Sequence, residues 1–194
     1  MTAATAELLG LLRAGEQSAL ATFSRIARRL PDAAAVHARN IVGRLADEEA
    51  HHDQLLNRAA IFHGVIAVRP AAEVRQFFLR LESRDLGVHL SRVASLDSCV
   101  CQVLACVVSG HPGTLLPNRL AHVLQQIRRD EGRHVRVVRG LALDLGVSSG
   151  TLDAQNDETR RAFDRVVLHY ETAFRGLGVD FDEMRRRIAR NVQR

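Results

Sequence analysis

The chain has 194 residues, 46% hydrophobic and only 4% aromatic, with no Trp and one Tyr; that length holds one domain with a sizeable core and makes two independent domains an unexpected outcome. All 27 basic residues are Arg, against 22 acids, for a net charge of +5, yet they are scattered along polar faces without aromatics between them, so a solvated surface is expected and a nucleic-acid partner is not. Cys99, Cys101 and Cys106 lack the spacing of a zinc knuckle or a redox pair and read as buried free thiols; with no signal peptide or transmembrane segment expected, the reading is a cytoplasmic protein.

Apolar residues recur every three to four positions and never every two, so an all-α chain without strands is expected. A first helix is predicted over 5–30, ending at Pro31-Asp32, whose Asp can cap a second helix over 33–63. Residues 64–70 form a long connection. A third helical region starts near Ala71 and breaks around 83–87; its second piece runs over 88–109, to the stop at Gly110-His-Pro-Gly113. A fourth helix is predicted over 116–145. Residues 146–157, rich in Gly, Ser and Asp, read as a loop, followed by a helix over 158–175 and an Arg-rich one after Gly178, both accessory. Short links within each pair of main helices and a longer span between the pairs describe two helical hairpins joined by a crossover.

Each main helix carries acid inside its apolar stripe. Glu16 sits among Leu9, Leu12, Leu20, Phe23 and Ala27; Glu49 and His52 interrupt Ile41, Leu45, Leu56 and Ala59. Asp97 lies among Leu90, Val93, Val100 and Leu104, and Glu131 and His134 among Leu120, Leu124, Ile127, Val138, Leu141 and Leu145. Positions i and i+3 share a helix face, so each Glu-x-x-His pair can close on one metal ion. Glu48 and His51 fall about 100° away, toward the flank, and their replacement is expected to leave metal content near wild type. Four carboxylates and two imidazoles buried without partners would cost several kcal/mol apiece. The stripes offer no Arg at that level, whereas two divalent cations would neutralise four carboxylates. Each half of the chain repeats the order: 33 residues separate Glu16 from Glu49 and 34 separate Asp97 from Glu131.

The segments Arg13-Ala-Gly-Glu16, Asp47-Glu-Glu-Ala-His-His-Asp53 and Arg129-Asp-Glu-Gly-Arg-His134 resemble the ligand helices of the ferritin-like di-iron carboxylate proteins, over roughly Glu7 to Leu145. The Ala-Gly-Glu opening and small size are most similar to the demethoxyubiquinone hydroxylase branch. The resemblance implies a single ferritin-like domain over 1–194: a four-helix bundle over about 5–146 with one or two additional C-terminal helices over about 156–193. It implies Glu16, Glu49, His52, Asp97, Glu131 and His134 as metal ligands, with Glu49 and Glu131 as bridges. Asp47 and Asp130 stand either as partners of the ligands or as plain surface acids. Asp97 departs from the pattern, in which Glu is usual. One methylene shorter, it reads as tuning one metal, held more loosely or with an extra water, rather than as loss of the site.

Oxygen and imidazole ligands suit iron or manganese, whereas a thiolate site would favour zinc; two Fe ions are expected, with Mn possible and O2 as co-substrate. Cys101 either nears the metal or packs. The expected activity is that of an oxygenase or oxidase acting on a small-molecule metabolite by hydroxylation, N-oxygenation, desaturation or oxidative cleavage, with an external electron donor and a homodimeric assembly. No catalytic residues beyond the ligands and no organic cofactor are expected. Gly15, Ala19, Ala46, Ala94 and Gly132 leave room for substrate. Two alternatives stand beside it: iron oxidation and storage or peroxide reduction of the rubrerythrin kind, and a non-catalytic helical interaction protein. The arginines of 185–190 are left to cover the bundle, dimerise, or bind a carboxylated substrate or carrier.

Overall fold

Residues 2–30, 35–64, 72–109 and 116–190 are described in the computed structural model, and among them every regular element is a helix. In chain order these are α1 (Ala3–Arg29), α2 (Ala35–Phe62), α3 (Ala72–Leu81), α4 (Leu86–Val108), α5 (Asn118–Asp144), α6 (Ser149–Leu168), α7 (Glu171–Gly176) and α8 (Phe181–Arg190). The chain is all-α. The Pro31-Asp32 cap, residues 65–70 of the long connection and the Gly110–Gly113 stop lie outside the described residues.

Local chemistry sets the helix ends. Thr2 caps α1 by accepting from the Thr5 amide at 3.3 Å, and Asp85 caps α4 by accepting from Val88 at 2.9 Å. The Arg29 guanidinium leaves the last turn of α1 to donate to the carbonyls of Ser83 and Arg84, both at 2.7 Å, and so ties that end to the α3–α4 link. Inside α1 and α4 the buried hydroxyls of Ser18, Ser91 and Ser95 donate to carbonyls one turn back, at 2.7 to 2.9 Å, so none is left unsatisfied. The end of α5 needs Gly146, whose φ of 85° lets the Val147 amide reach back to the Ala142 carbonyl at 3.1 Å.

The C-terminal third corrects the sequence reading. Only residues 145–148 form the turn after α5, because Ser148 caps a helix that starts at Ser149 by accepting from the Thr151 amide at 3.1 Å. The segment expected as a loop over 146–157 is therefore mostly helix, and the helix expected over 158–175 is divided at His169-Tyr170. Gly150, Asp153 and Asn156 are poor helix formers. Packing overrides them, since α6 lies along α4 and buries Leu152, Asn156, Thr159, Phe163 and Val166. Nor are these helices mere accessories: Phe163, Phe174, Phe181, Met184 and Ile188 belong to the same core cluster as Leu8 and Leu104.

Among the long helices, α1 packs on α2, α4 on α5 and α2 on α5. Pairing is antiparallel, since Glu16 meets His52 while the Leu30 carbonyl accepts from Arg39. The expected stripes are buried apart from Leu145, exposed in the turn that ends α5, and Leu20, Ala27, Ile41 and Val100, which are half-buried. The core falls into two apolar clusters, one holding Leu8–Leu12, Leu56, Val103 and Leu124, the other Phe23, Val42, Leu90 and Val138. On each of these four helices the predicted site residues lie where one cluster gives way to the other. By length and composition α4 is apolar enough to cross a membrane, but it carries Arg92 and Asp97, and 56% of its most apolar window is buried by its neighbours.

Candidate metal centre

Glu16 of α1, Glu49 and His52 of α2, Asp97 of α4 and Glu131 and His134 of α5 are all buried. They converge. Donor atoms of Glu16, Glu49, His52 and Glu131 lie within 4.8 Å of one another, as do those of Asp97, Glu131 and His134. His52 Nδ1 stands 3.2 Å from Glu16 Oε2, 3.8 Å from Glu49 Oε2 and 3.6 Å from Glu131 Oε1. His134 Nδ1 stands 3.0 Å from Glu49 Oε1 and 3.7 Å from Glu131 Oε2. Glu49 and Glu131 thus each turn one oxygen toward either imidazole.

The far nitrogen of each imidazole meets an acid from the other helix. His52 Nε2 is 3.2 Å from Asp130 Oδ2, and His134 Nε2 is 2.7 Å from Glu48 Oε2. Arg133 donates to both acids, at 2.8 Å to Glu48 and 3.0 Å to Asp130. Such contacts fix the ring orientation and tautomer of a histidine that binds metal through its other nitrogen. Asp130 is therefore a partner of the site, whereas Asp47 is exposed on the surface. Glu48, read from sequence as a dispensable flank residue, takes the place open to Asp47. The signal was present: an acid directly precedes the Glu of both motifs. Its meaning depended on α5 running antiparallel beside that flank.

Electrostatics describe a site balanced by protons. Burial opposes the Glu49 charge, but the flanking His134 and His52 and a hydrogen bond with Glu16 hold its carboxyl at about 2. Burial also opposes the imidazolium form of both histidines. Glu16 and Glu49 nevertheless push His52 up to about 11, and Glu131 and Glu49 push His134 up to about 12. Glu16 and Asp97 are raised well above the usual carboxylate range by burial and then by Glu49 and Glu131 respectively, and Glu131 is raised by burial and by Glu49. The balance is incomplete, because the buried Asp97 Oδ2 and His134 Nδ1 have no hydrogen-bond partner; the latter is close to Glu49 but out of line.

The buried Glu and His groups could hold a metal ion. Two orphaned polar atoms, on Asp97 and His134 of one buried group, are what a cation would satisfy. The thiols do not contribute: Cys101 directs its Sγ to the Arg128 carbonyl at 3.7 Å, and burial pushes Cys99 and Cys101 up to about 12. An oxygen and imidazole donor set remains.

A cavity of about 70 Å³ opens on the carboxylates Glu16, Glu49, Asp97 and Glu131. Neither histidine lines it. Its other walls are apolar and come from α1, α3, α4 and α6, including Leu12, Phe77, Val100 and Phe163. Of the small residues expected to leave room, Gly15 and Ala19 line this cavity; Ala46 and Ala94 are packed into the second core cluster, and Gly132 does not reach the space. No family model, curated protein or solved structure matches the chain.

Proposed function

We propose that this chain is a non-haem di-iron protein of the ferritin-like four-helix-bundle kind, using O2 to oxidise a small molecule. The observation that carries the reading is the placement of Glu49 and Glu131, each within reach of both imidazoles, in a buried layer that opens on an apolar cavity. Glu16, Glu49, His52 and Glu131 would hold one ion, and Asp97, Glu131, His134 and Glu49 the other. When bound, a ferrous pair supplies the electrons for O2 reduction and the oxidising power directed at substrate. Asp130 and Glu48 hold the imidazoles in orientation, with Arg133 fixing both acids. The apolar walls exclude water and position the substrate against the carboxylate side of the site. That cavity favours oxidation of an organic molecule over iron storage, which has no use for it.

Anaerobic titration with Fe(II) is expected to reach two ions per chain, and the loaded protein to consume O2 faster when a substrate is present. His52→Ala and His134→Ala should each lose one ion per chain. Iron content unchanged in both variants would overturn the ligand assignment.

A further inference from the structure

We infer that the substrate of this centre is an amphiphile, a slim aliphatic chain with an anionic head, the end of the chain lodged in the cavity and the head held in the groove outside it. This rests on the oxidase reading above. Apart from the four carboxylates at one end, the residues lining the cavity are apolar, so nothing there would satisfy a polar group along a ligand's length. Its size is also selective. An apolar cavity of about 150 Å³ accepts a benzene ring, whereas 70 Å³ suits only the unbranched end of a chain, a few carbons long, with the rest running toward the groove.

Phe77 of α3 and Val166 of α6 line this cavity and also a groove of about 420 Å³ on the outer surface. Two side chains are therefore shared between the apolar space and the exterior. The groove holds Arg80, Arg92, Arg165 and His169 together with Glu73 and Glu158. Both acids are engaged: Glu73 accepts from the Tyr170 hydroxyl at 2.7 Å, and Glu158 pairs with Arg92 at 3.3 Å. Arg80 and Arg165 are exposed and make no ion pair or side-chain hydrogen bond among the described residues. The groove thus presents two uncommitted guanidiniums, which recognise carboxylate or phosphate through paired donors.

Isothermal titration of the full chain with octanoate, octyl phosphate, octyltrimethylammonium and octanol tests this. Octanoate or octyl phosphate is expected to bind one per chain, at least tenfold tighter than octyltrimethylammonium, with the tighter of the two anions identifying the head. Gly15→Leu should weaken the anion at least tenfold. A Cβ at Gly15 meets nothing within 4 Å, so the new side chain fills the cavity, and leucine favours the helix over glycine. Arg80→Glu with Arg165→Glu, both on the surface, should weaken the anion at least tenfold and leave octanol unchanged. Circular dichroism checks the fold of each variant. Equal affinity for the cationic head, no binding of any octyl compound, or anion binding unmoved in the arginine pair overturns the inference. A wild-type chain that binds no iron, yet binds octanoate in the expected pattern, sinks the oxidase reading and leaves the amphiphile site standing.

Discussion

Glu48, half-exposed on α2, reaches the far side of His134 and shares Arg133 with Asp130. Losing a carboxylate that orients a ligand histidine typically lowers metal affinity by about 10–100-fold. Glu48→Ala is expected to show that loss in Fe(II) or Mn(II) titrations, while Asp47→Ala on the exposed neighbour leaves affinity unchanged; equal behaviour would remove Glu48 from the site. The same residues set a pH dependence. At pH 7 His52 and His134, held at about 11 and 12, carry protons, and burial shifts Glu16 and Asp97 toward their protonated forms. A metal needs these groups bare, so binding must release protons and affinity must rise as pH rises. Calorimetric titration in two buffers of different ionisation heat measures the release, and binding without proton release would contradict this account of the site.

The helices differ in how plainly their sequences announce them. In α1, α2, α4 and α5 a long apolar stripe makes the period visible, and the boundaries 3–29, 35–62, 86–108 and 118–144 follow the predicted spans closely. In α6 the stripe is diluted by Asn156 and Thr159, which are buried, and by Gly150 and Asp153, which favour turns. That helix exists because α4 offers it a surface, a long-range condition that no local window contains. Phe163 ties the same helix to α3 as well, packing against Phe77 at 6.0 Å between ring centroids. Phe163→Ala is expected to cost about 3–5 kcal/mol, read as a lower midpoint in chemical denaturation. A loss under about 1 kcal/mol would mean that α6 is not held by this contact.

Across the whole molecule the buried acids and imidazoles form a polar layer between two apolar clusters, drawn from four helices at once. Each ion bound there would link three of the four helices and the pair all four, and binding to the folded chain alone stabilises it by about 2.7 kcal/mol at a hundredfold excess over Kd. For a chain of this size that corresponds to roughly 5–10 °C in Tm. Adding Fe(II) anaerobically should raise Tm by that amount and a chelator should reverse it; an unmoved Tm would show that the layer is satisfied by protons alone. Helical class and the six residues on the apolar faces were legible in the sequence, because both follow from a period of 3.6 within single segments. The roles of Glu48 and Arg133, the cavity roofed by α3 and α6, and the helix at 149–168 were decided only by tertiary structure. They depend on which residues some 60 to 90 positions apart are set side by side when the helices pack, and local periodicity carries no record of that register.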